Sequence, residues 1–586
     1  MILDIFKQLG WFFKKEKVAY ITGVLGLIVV AILSALVPLI ISRMIDSMNQ
    51  GTLQMNDLWL WIGMLIGIAV LQYGLRYIWR MAIHGTATRL EFILRQRLYN
   101  HFMAMDEIFF QKYRTGDLMA HATNDLNAIR MVASAGILTF VDSISQGLIT
   151  LIMMFAVVDW RLALASVIPL PLLTIMFNYN GKKVHYHFKR AQAAFSSLND
   201  KVQESVTGMK VIKTFGEETL DTEDFDQMVD EVIDTNQSVY FYDALFRPTI
   251  QIVMSLCTII AVVYGGALVI RGEITVGLLV AFLSYILRMT WPMIAIGRLF
   301  NILERGSASY SRIQSLLEET SHIQEANHPV VQSIDGPLDF NIDSFTYPNE
   351  NTPQLSEVSF HLEEGQTLGI VGATGAGKTT VFKLLLREFD HYKGKICYNG
   401  VDIKDYQLDS LLSQIGYVPQ DNFLFSTTVR DNIRFGRMGA TQQEVEEVAK
   451  LTAVHEDILS FADGYDTRVG ERGVSLSGGQ QQRISMARAM IMNPELLILD
   501  DSLSAVDAKT ETAILGHLKK YRQNKTTIIA AHRMSSVMHA DEIIVIDEGT
   551  VIERGTHQSL YDQDGWYRKM YDKQQLEQSI QEEEIM

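Results

Sequence analysis

The sequence predicts an α-helical membrane domain, with six transmembrane helices and long cytoplasmic extensions, followed by an α/β domain with a phosphate-binding loop and a helical subdomain. Three observations in its 586 residues predict this fold class. Six apolar stretches in the first half can each cross a bilayer core of about 30 Å, which takes about 20 helical residues. A glycine-rich loop in the second half lies between an apolar strand and a helical run. The net charge also differs between the two halves. Residues 1–320 carry 27 basic and 27 acidic residues, whereas residues 321–586 carry 24 basic and 40 acidic residues.

The predicted spans lie near residues 19–41, 58–80, 137–158, 162–180, 248–270 and 276–299. The long segments 81–136 and 181–247 are rich in Lys and Arg, so the positive-inside rule places them in the cytoplasm. They contain few Pro or Gly, and we expect them to continue the membrane helices. The chain is then a multi-pass protein of the cell membrane whose termini and second domain are cytoplasmic. Before the first span, apolar residues mix with lysines, which predicts a short helix in the membrane interface.

Two ionisable residues lie inside the predicted spans, Asp142 in the third and Arg288 in the sixth. Charged groups within a membrane are functional candidates, because they are costly there unless they serve a site. One interpretation is that one or both line a water-filled cavity for cationic or polar cargo, and Asp142 is the candidate residue of that cavity. The other interpretation is that each lies near a helix end or pairs with a neighbouring chain.

The composition excludes several classes of protein. Hydrophobic residues make up 48% and charged residues 20%, which excludes a mainly disordered chain. The two cysteines, Cys257 and Cys397, lie far apart, so neither a disulfide framework nor a zinc site is expected. The acidic second half speaks against nucleic acid as a partner, because binding nucleic acid needs a basic surface.

Residues 372–379 read Gly-Ala-Thr-Gly-Ala-Gly-Lys-Thr, a full match to the phosphate-binding loop of nucleotide-binding proteins. An apolar strand precedes this loop and a helical run follows it, so its backbone N–H groups would wrap phosphates at a helix N-terminus. Lys378 is predicted to reach the β- and γ-phosphates, and the Thr379 hydroxyl to bind Mg²⁺. The predicted nucleotide-contacting residues of the loop are Gly372, Thr374, Gly375, Gly377, Lys378, Thr379 and Thr380.

Two further motifs complete a nucleotide site. Asp500 ends a run of four apolar residues that predicts a buried strand, and its carboxylate is expected to face the metal. Residues 476–480, Leu-Ser-Gly-Gly-Gln, open a helix and form a second anion-binding N-terminus. Since the first loop already serves one nucleotide, this second one is free to bind the γ-phosphate of a nucleotide held by another chain. Taken alone, however, it would be an ordinary glycine-rich turn.

These motifs, in this order, resemble those of an ABC transporter of the exporter type, whose family signature is Leu-Ser-Gly-Gly-Gln. The resemblance covers residues 1 to about 575 and implies a half-transporter, with one membrane domain ahead of one nucleotide-binding domain. It also implies that two nucleotide-binding domains meet head to tail. Two ATP molecules, with Mg²⁺, are then held between the phosphate loop of one chain and the signature of the other, here Ser477, Gly478, Gly479 and Gln480.

The resemblance assigns roles to three further residues at motif positions. Tyr347 matches the aromatic residue that stacks on adenine, and Gln420 matches the glutamine that reaches Mg²⁺ and the attacking water. His532 matches the histidine that contacts the γ-phosphate. Four segments also resemble family elements: residues 504–507 the loop between the two ATP sites, 469–473 a loop that touches the partner's cytoplasmic helices, and 113–118 and 214–218 the two coupling helices.

One position departs from the family pattern. The residue after Asp500 should be the glutamate that polarises the attacking water, but it is Asp501. The shorter side chain withdraws the carboxylate by roughly 1–1.5 Å, and an error of about 1 Å can lower a rate about 100-fold. The resemblance is therefore to the degenerate-site subunit of heterodimeric bacterial multidrug ABC exporters. The alternative is that Asp501 is tolerated in a fully active homodimer.

The sequence thus predicts an ATP-hydrolysing subunit that moves amphipathic drugs, cationic ones among them, or other hydrophobic compounds out of the cell. Its expected partners are membrane lipid and a second, non-identical half-transporter that carries the catalytic glutamate. A homodimeric lipid or peptide exporter is one alternative, and a non-transport ABC ATPase is an alternative from another class. The predicted domains are a transmembrane domain at 1–320, a linker at 321–335, an ABC nucleotide-binding domain at 336–575 and an acidic, solvated tail at 576–586.

Overall fold

The computed structural model describes residues 4–348, 350–470 and 476–585. The chain divides into two compact units. The membrane unit comprises Met1–Met103 and Thr115–Glu319, and the α/β unit comprises Ala104–Arg114 and Thr320–Met586. Residues 104–114, which the sequence analysis included in the transmembrane domain, therefore group with the second half of the chain.

Among the described residues of the membrane unit, six helices are long and apolar enough to cross a membrane, and each contains one of the predicted spans. They extend well beyond the apolar stretches, the longest over 56 residues. This confirms that the polar segments continue the membrane helices. The six helices are Lys17–Asn49, Met55–Met103, Thr115–Val158, Trp160–Phe215, Glu218–Ile270 and Val276–Glu318.

Some of these helices contain local irregularities, and the individual helical segments have the following bounds. They are α1 (Asp4–Gln8), α2 (Gly10–Lys15), α3 (Lys17–Asn49), α4 (Met55–Met103), α5 (Glu107–Lys112), α6 (Thr115–Ala120), α7 (Leu126–Met131), α8 (Ile137–Ile152), α9 (Trp160–Val167), α10 (Leu170–Phe215), α11 (Glu218–Ala244), α12 (Phe246–Ile270), α13 (Val276–Arg288) and α14 (Thr290–Glu318). Wider π-type turns connect α6 to α7 and α7 to α8, and a third follows α8, at His121–Asp125, Val132–Gly136 and Met153–Val158.

The predicted interfacial segment at the N-terminus forms two short helices, α1 and α2. Ile5, Leu9 and Phe12 are fully buried within the protein, whereas Lys14 and Lys15 are exposed. The ring of Phe6 also lies 6.4 Å from that of Phe140 in α8, measured between centroids. The apolar face of this segment is thus partly used for packing against the membrane unit itself.

The α/β unit contains two sheets. The smaller sheet has the strand order β2-β1-β4-β5 and is antiparallel, and the larger has the order β10-β9-β3-β8-β7-β6. In the larger sheet only β9 and β10 pair antiparallel. The strands are β1 (Leu338–Phe345), β2 (Leu355–Leu362), β3 (Thr367–Val371), β4 (Lys393–Tyr398), β5 (Val401–Asp402), β6 (Ile415–Val418), β7 (Leu496–Asp500), β8 (Thr526–Ala530), β9 (Glu542–Asp547) and β10 (Thr550–Gly555).

The helices of the α/β unit pack around this larger sheet, and four of them, α17 to α20, form the predicted helical subdomain between β6 and β7. The helices are α15 (Lys378–Leu385), α16 (Leu408–Leu412), α17 (Val429–Arg434), α18 (Gln442–Leu451), α19 (His455–Ser460), α20 (Gly478–Met490), α21 (Ala508–Tyr521), α22 (His557–Asp562) and α23 (Trp566–Ile585). The predicted acidic tail belongs to the helix α23, which continues through Ile585.

The parallel order of the larger sheet places the candidate site. All residues of β7 and β8 are buried, as expected for central strands covered by helices on both faces. The strands β3, β7 and β8 are neighbours, so the chain segments after their carboxyl ends meet at one edge. These segments carry the phosphate loop, Asp500 with Asp501, and His532.

Candidate nucleotide-binding site

A cavity of about 140 Å³ lies at this edge of the larger sheet. It brings together the predicted phosphate-loop, metal and catalytic residues, which are spread over residues 374–532 of the sequence. Gln354 also lines the cavity although the sequence analysis did not select it. The lining residues are Gln354, Thr374, Gly375, Gly377, Lys378, Thr379, Thr380, Gln420, Asp500, Asp501 and His532.

The phosphate loop is shaped by glycine and closed by its lysine. Gly372 has a φ of 156°, and a Cβ atom there would lie 2.1 Å from the carbonyl oxygen of Ile546, so no larger residue fits. The Nζ of Lys378 donates to the carbonyl oxygens of Gly372 and Ala373 at 2.8 and 2.9 Å. Burial lowers the pKa of Lys378, and the nearby carboxylates of Asp501 and Asp500 oppose this shift. The ammonium group is thus positioned inside the loop that would surround a phosphate.

Asp500 ends β7 with only 2% of its surface exposed. Burial raises its pKa, while hydrogen bonds from the hydroxyls of Thr379 and Tyr417 oppose the shift. The Tyr417 hydroxyl donates to Oδ2 at 3.4 Å. A buried carboxylate beside a threonine hydroxyl, with Gln420 lining the same cavity, offers the oxygen ligands that Mg²⁺ prefers. Among the described residues no cluster of three or more His, Cys, Asp or Glu could hold a metal by itself, so phosphate oxygens would complete the set.

Asp501 adopts a left-handed backbone conformation, with φ 46°. Its N–H donates to the carbonyl oxygen of Ala530 at 2.9 Å, and its Oδ1 accepts from the backbone N–H of His532 at 3.4 Å. The carboxylate is therefore directed along the wall of the cavity towards the segment after β8. Since Asp501 lines the cavity, a carboxylate is present at the expected place but on the shorter side chain.

His532 is held by a residue that the sequence analysis missed. Gln574, in α23, donates from Nε2 to the carbonyl oxygen of His532 at 2.7 Å and accepts at Oε1 from the N–H of Met534 at 2.9 Å. Gln574 lies at the end of the predicted nucleotide-binding domain, and no sequence pattern assigns it a role at the nucleotide site. The acidic composition that follows it gave no signal of a contact near His532.

Tyr347 does not line the phosphate cavity. Its hydroxyl forms a hydrogen bond of 3.0 Å with Oγ1 of Thr380, and its ring packs edge-on against Phe389. It lines an adjacent cavity of about 310 Å³, together with Gln111, Pro348, Glu350 and Lys383. The predicted base-stacking residue is therefore next to the phosphate loop, as an adenine beside bound phosphates would require.

The signature residues lie at the start of α20 and line no part of the phosphate cavity. Ser477 caps this helix, with its Oγ accepting from the N–H of Gln480 at 3.3 Å and its N–H donating to Oε1 of Gln480 at 3.1 Å. The Nε2 of Gln480 donates to Asp457. A Cβ atom on Gly479 would lie 2.8 Å from the carbonyl oxygen of Ala505, which requires glycine there. The structure therefore separates the signature from the phosphate loop of its own chain.

The remaining family segments are placed as follows. Arg533 donates to the carbonyl oxygens of Ser504 and Val506, so residues 504–507 are tied to the segment that carries His532. Within the predicted segment 469–473, residues 471–473 lie outside the described residues.

The first predicted coupling segment is not one helix. Asp106 caps the short helix α5, which ends just before Tyr113, and Thr115 begins the next helix, α6. The predicted segment therefore spans the junction between two helices. The second segment is the turn between α10 and α11. There Gly216 ends α10 in a left-handed conformation with φ 71°.

The two ionisable residues of the predicted spans have partners within the membrane unit. Asp142 lies inside α8, and its two oxygens accept from Nε2 of Gln146 at 2.6 Å and from Nε1 of Trp291 at 2.9 Å. Trp291 as a residue is 41% exposed. Arg288 interacts electrostatically with Asp142 and donates to the carbonyl oxygen of Ser34. Asp142 is thus half-buried in a polar cluster beside an exposed aromatic ring.

Comparison with known families gives two matches. The model described as the ABC transporter transmembrane region matches residues 20–293, and the model described as ABC transporter matches residues 355–504. The matches fall in the two halves of the chain in the order that the sequence predicts.

Full-length relatives are also similar to this chain. The Multidrug resistance-like ATP-binding protein MdlA of Escherichia coli K12 is 44% identical, over 99% of this chain and 98% of that protein. The Probable multidrug resistance ABC transporter ATP-binding/permease protein YheI of Bacillus subtilis 168 is 43% identical, over 98% of each. A solved structure of a bacterial Atm1-family ABC exporter with ATP bound is similar over 96% of this chain and 98% of that chain. Its TM-score is 0.77 and its identity 25%.

Proposed function

Because the chain belongs to the ABC transporter family, as a half-transporter with one membrane domain and one ATP-binding domain, we propose that it is a subunit of a heterodimeric exporter of amphipathic drugs or other hydrophobic compounds. Its ATP-binding domain is an ABC ATPase whose hydrolysis of ATP is coupled to transport. The observation that carries the proposal is one cavity in which Lys378, Asp500 and His532 meet Asp501 at the position of the catalytic glutamate.

In this proposal the phosphate loop holds ATP. Lys378 exchanges its two carbonyl partners in the loop for the β- and γ-phosphate oxygens, which its buried ammonium group neutralises. The backbone N–H groups around Gly375 and Gly377 bind the same phosphates at the start of α15. Tyr347 stacks on the adenine beside the phosphate loop.

Asp500, the Thr379 hydroxyl and Gln420 would hold Mg²⁺ together with the phosphates. The metal, when bound, neutralises the charge that develops on the β- and γ-phosphate oxygens. The Tyr417 hydroxyl keeps the Asp500 carboxylate oriented towards the cavity through its hydrogen bond to Oδ2. Gln574 fixes the backbone of His532 through its hydrogen bond to the carbonyl oxygen, and the ring of His532 contacts the γ-phosphate in this proposal.

Asp501 makes this site slow. A carboxylate acts on the attacking water only at hydrogen-bond distance, and a displacement of about 1 Å can lower the rate about 100-fold. The backbone of Asp501 is tied to β8, because its N–H donates to the carbonyl oxygen of Ala530. The other residues that bind ATP are present, so the site binds ATP well and hydrolyses it slowly.

The signature of this chain serves a different site. The signature residues Ser477, Gly479 and Gln480 lie at the start of α20, away from the phosphate loop of their own chain. Ser477 and Gln480 form an intact capping box there. Two identical chains would give two slow sites, because each chain would bring Asp501. The proposed partner is therefore a non-identical half-transporter that carries the catalytic glutamate, and this chain's signature completes its active site.

The cargo is proposed from the relatives and from the membrane unit. MdlA is named as multidrug resistance-like and YheI as a probable multidrug resistance transporter, which supports amphipathic drugs as cargo. Asp142 beside the exposed ring of Trp291 offers a negative charge and an aromatic surface, which suit an amphipathic cation. Both termini and the ATP-binding domain lie in the cytoplasm, since the segments rich in Lys and Arg are on that side.

Transport in inside-out membrane vesicles tests the exporter function. ATP-dependent uptake of a fluorescent cationic dye is expected with the co-expressed pair. Vesicles in which Lys378→Ala and the matching change in the partner are combined should show none. Dye uptake that does not depend on ATP would contradict the exporter proposal, and full transport by this chain alone would favour the homodimeric alternative.

A further inference from the structure

The side chain of Asp106 is the feature that neither the fold nor the nucleotide site explains. It lies between α4 and α5, and only 1% of its side chain is exposed. A buried carboxylate is unfavourable unless hydrogen bonds replace the water that it loses. Asp106 therefore needs an account of what surrounds it.

Two groups of donors surround this carboxylate. Oδ1 accepts from the backbone N–H of Phe109 at 3.0 Å, which caps the first turn of α5. Oδ2 accepts from the backbone N–H of His322 and from Oγ of Ser321 at 3.2 Å, and lies 3.1 Å from Nδ1 of His322. One oxygen thus serves α5 and the other holds the segment that follows α14.

These contacts keep the carboxylate charged. Burial by itself would raise the pKa of Asp106, but hydrogen bonds from the backbone of His322 and Phe109 and from the His322 ring hold it below its usual value. Charge-assisted hydrogen bonds of this kind are about twice as strong as neutral ones.

The contact between Asp106 and His322 joins two chain segments that follow different membrane helices. Asp106 follows α4, which contains the second span, and His322 follows α14, which continues the sixth span. Next to Asp106, Ile108 of α5 packs on the hydrophobic core of the α/β unit. One carboxylate therefore joins the chain segments that leave two membrane helices, at a point fixed to the ATP-binding domain.

A helix cap alone does not account for this arrangement. Capping uses Oδ1 and stabilises a helix by about 1 kcal/mol, and a serine performs it equally well. The contacts of Oδ2 with residues 321 and 322 contribute nothing to the cap.

We propose that Asp106 is a positioning residue for coupling: by fastening α5 to the segment at residues 321–322, it makes the second and sixth membrane helices follow the ATP-binding domain together. This inference rests on the proposed exporter function. Without the contact, closure of the ATP-binding domains still occurs, but the two helices receive the motion separately. ATP hydrolysis then continues while transport is lost.

The test compares Asp106→Ser with the control Asp226→Ser, at an exposed acidic residue of α11 that lies outside both predicted coupling segments. Serine keeps the cap of α5 but removes the oxygen that reaches His322. ATPase activity and dye uptake are measured in the same vesicles, with the full-length transporter. Allosteric coupling usually corresponds to about 5- to 150-fold, so dye transported per ATP should fall at least about fivefold while the ATPase rate stays within about twofold. Asp226→Ser should match the unchanged protein.

The proposal is overturned if Asp106→Ser transports as much dye per ATP as the unchanged protein. It is also overturned if the ATPase rate and dye transport of Asp106→Ser fall in parallel. Amide hydrogen exchange of His322 in the full-length protein provides a second measurement. Slow exchange that becomes fast in Asp106→Ser supports the contact, and fast exchange in the unchanged protein overturns it. If the unchanged protein transports no dye at all, the proposed exporter function is wrong. The amide exchange of His322 still decides whether the contact between Asp106 and His322 exists.

Discussion

The guanidinium group of Arg288 donates to the carbonyl oxygen of Ser34 at 2.9 Å. This carbonyl lies four residues before Pro38, which is inside the helix α3 and has no N–H to donate to it. Arg288 therefore replaces the hydrogen bond that the proline removes. The sequence singled out Arg288 as a possible cavity residue, whereas the structure gives it a partner in the first membrane helix.

We predict that Arg288→Met destabilises the membrane unit by about 1 kcal/mol, because the half-buried carbonyl of Ser34 then loses its partner. The effect should depend on Pro38. In Pro38→Ala the helix supplies its own donor, so Arg288→Met should have a smaller effect in that background. Thermal unfolding of the four proteins in detergent measures this cycle. Equal effects of Arg288→Met with and without Pro38 would contradict the interpretation.

Lys378→Ala should sharply weaken nucleotide binding at this chain's site. The substitution removes the charge that meets the β- and γ-phosphates, although the glycine backbone of the loop remains. Titration of a fluorescent ATP analogue, with a partner mutated in its own phosphate loop, isolates this site. An unchanged affinity would show that Lys378 does not contact the phosphates.

Asp142→Asn should impair transport of cationic dyes more than of neutral dyes, since the carboxylate raises the local concentration of cations. The amide keeps the size of the side chain and can still accept from Trp291 or Gln146. Uptake of a cationic and a neutral dye in the same vesicles measures the effect. A uniform loss would indicate a folding or coupling defect, and no loss for either dye would place Asp142 outside the transport path.

Glu388 predicts a pH dependence of stability in the α/β unit. Burial raises its pKa from 4.5 to about 7, with Glu107 adding to the shift and Lys383 opposing it. Below pH 4.5 the carboxyl is protonated in the folded and the unfolded chain. From there to about pH 7 the unfolded chain ionises more readily, so stability falls as pH rises, by up to about 3 kcal/mol at 1.36 kcal/mol per pKa unit.

Glu388→Gln should therefore raise the unfolding temperature at about pH 8 and have little effect at about pH 4. The control is Glu364→Gln, at an exposed carboxylate of the same unit, which should change neither value. Unfolding of the full-length chain is followed at both pH values. A stabilisation of the same size at the two pH values would contradict the assignment to Glu388.

Local patterns in the sequence indicate Lys378 and Asp500, because each lies in a motif next to an apolar strand. His532 is assigned only through the family resemblance. The structure places all three residues around one cavity. Gln574, Asp106 and Arg288 could not be predicted, since each acts through a backbone group far away in the sequence. A backbone carbonyl or N–H has no residue-specific pattern that would identify it as their partner.

The central claim is that this chain contributes a slow ATP site and an intact signature to an asymmetric pair. The most direct measurement is the steady-state ATPase rate of the co-expressed pair, with Ser477→Arg and Asp501→Asn introduced separately into this chain. Ser477→Arg should nearly abolish activity, because it damages the partner's active site. Asp501→Asn should reduce activity much less, because its site contributes little hydrolysis, and the corresponding changes in the partner should give the reverse order. If Asp501→Asn alone removes most of the activity, or if this chain alone hydrolyses ATP as fast as the pair, the asymmetric account is contradicted and a homodimer takes its place.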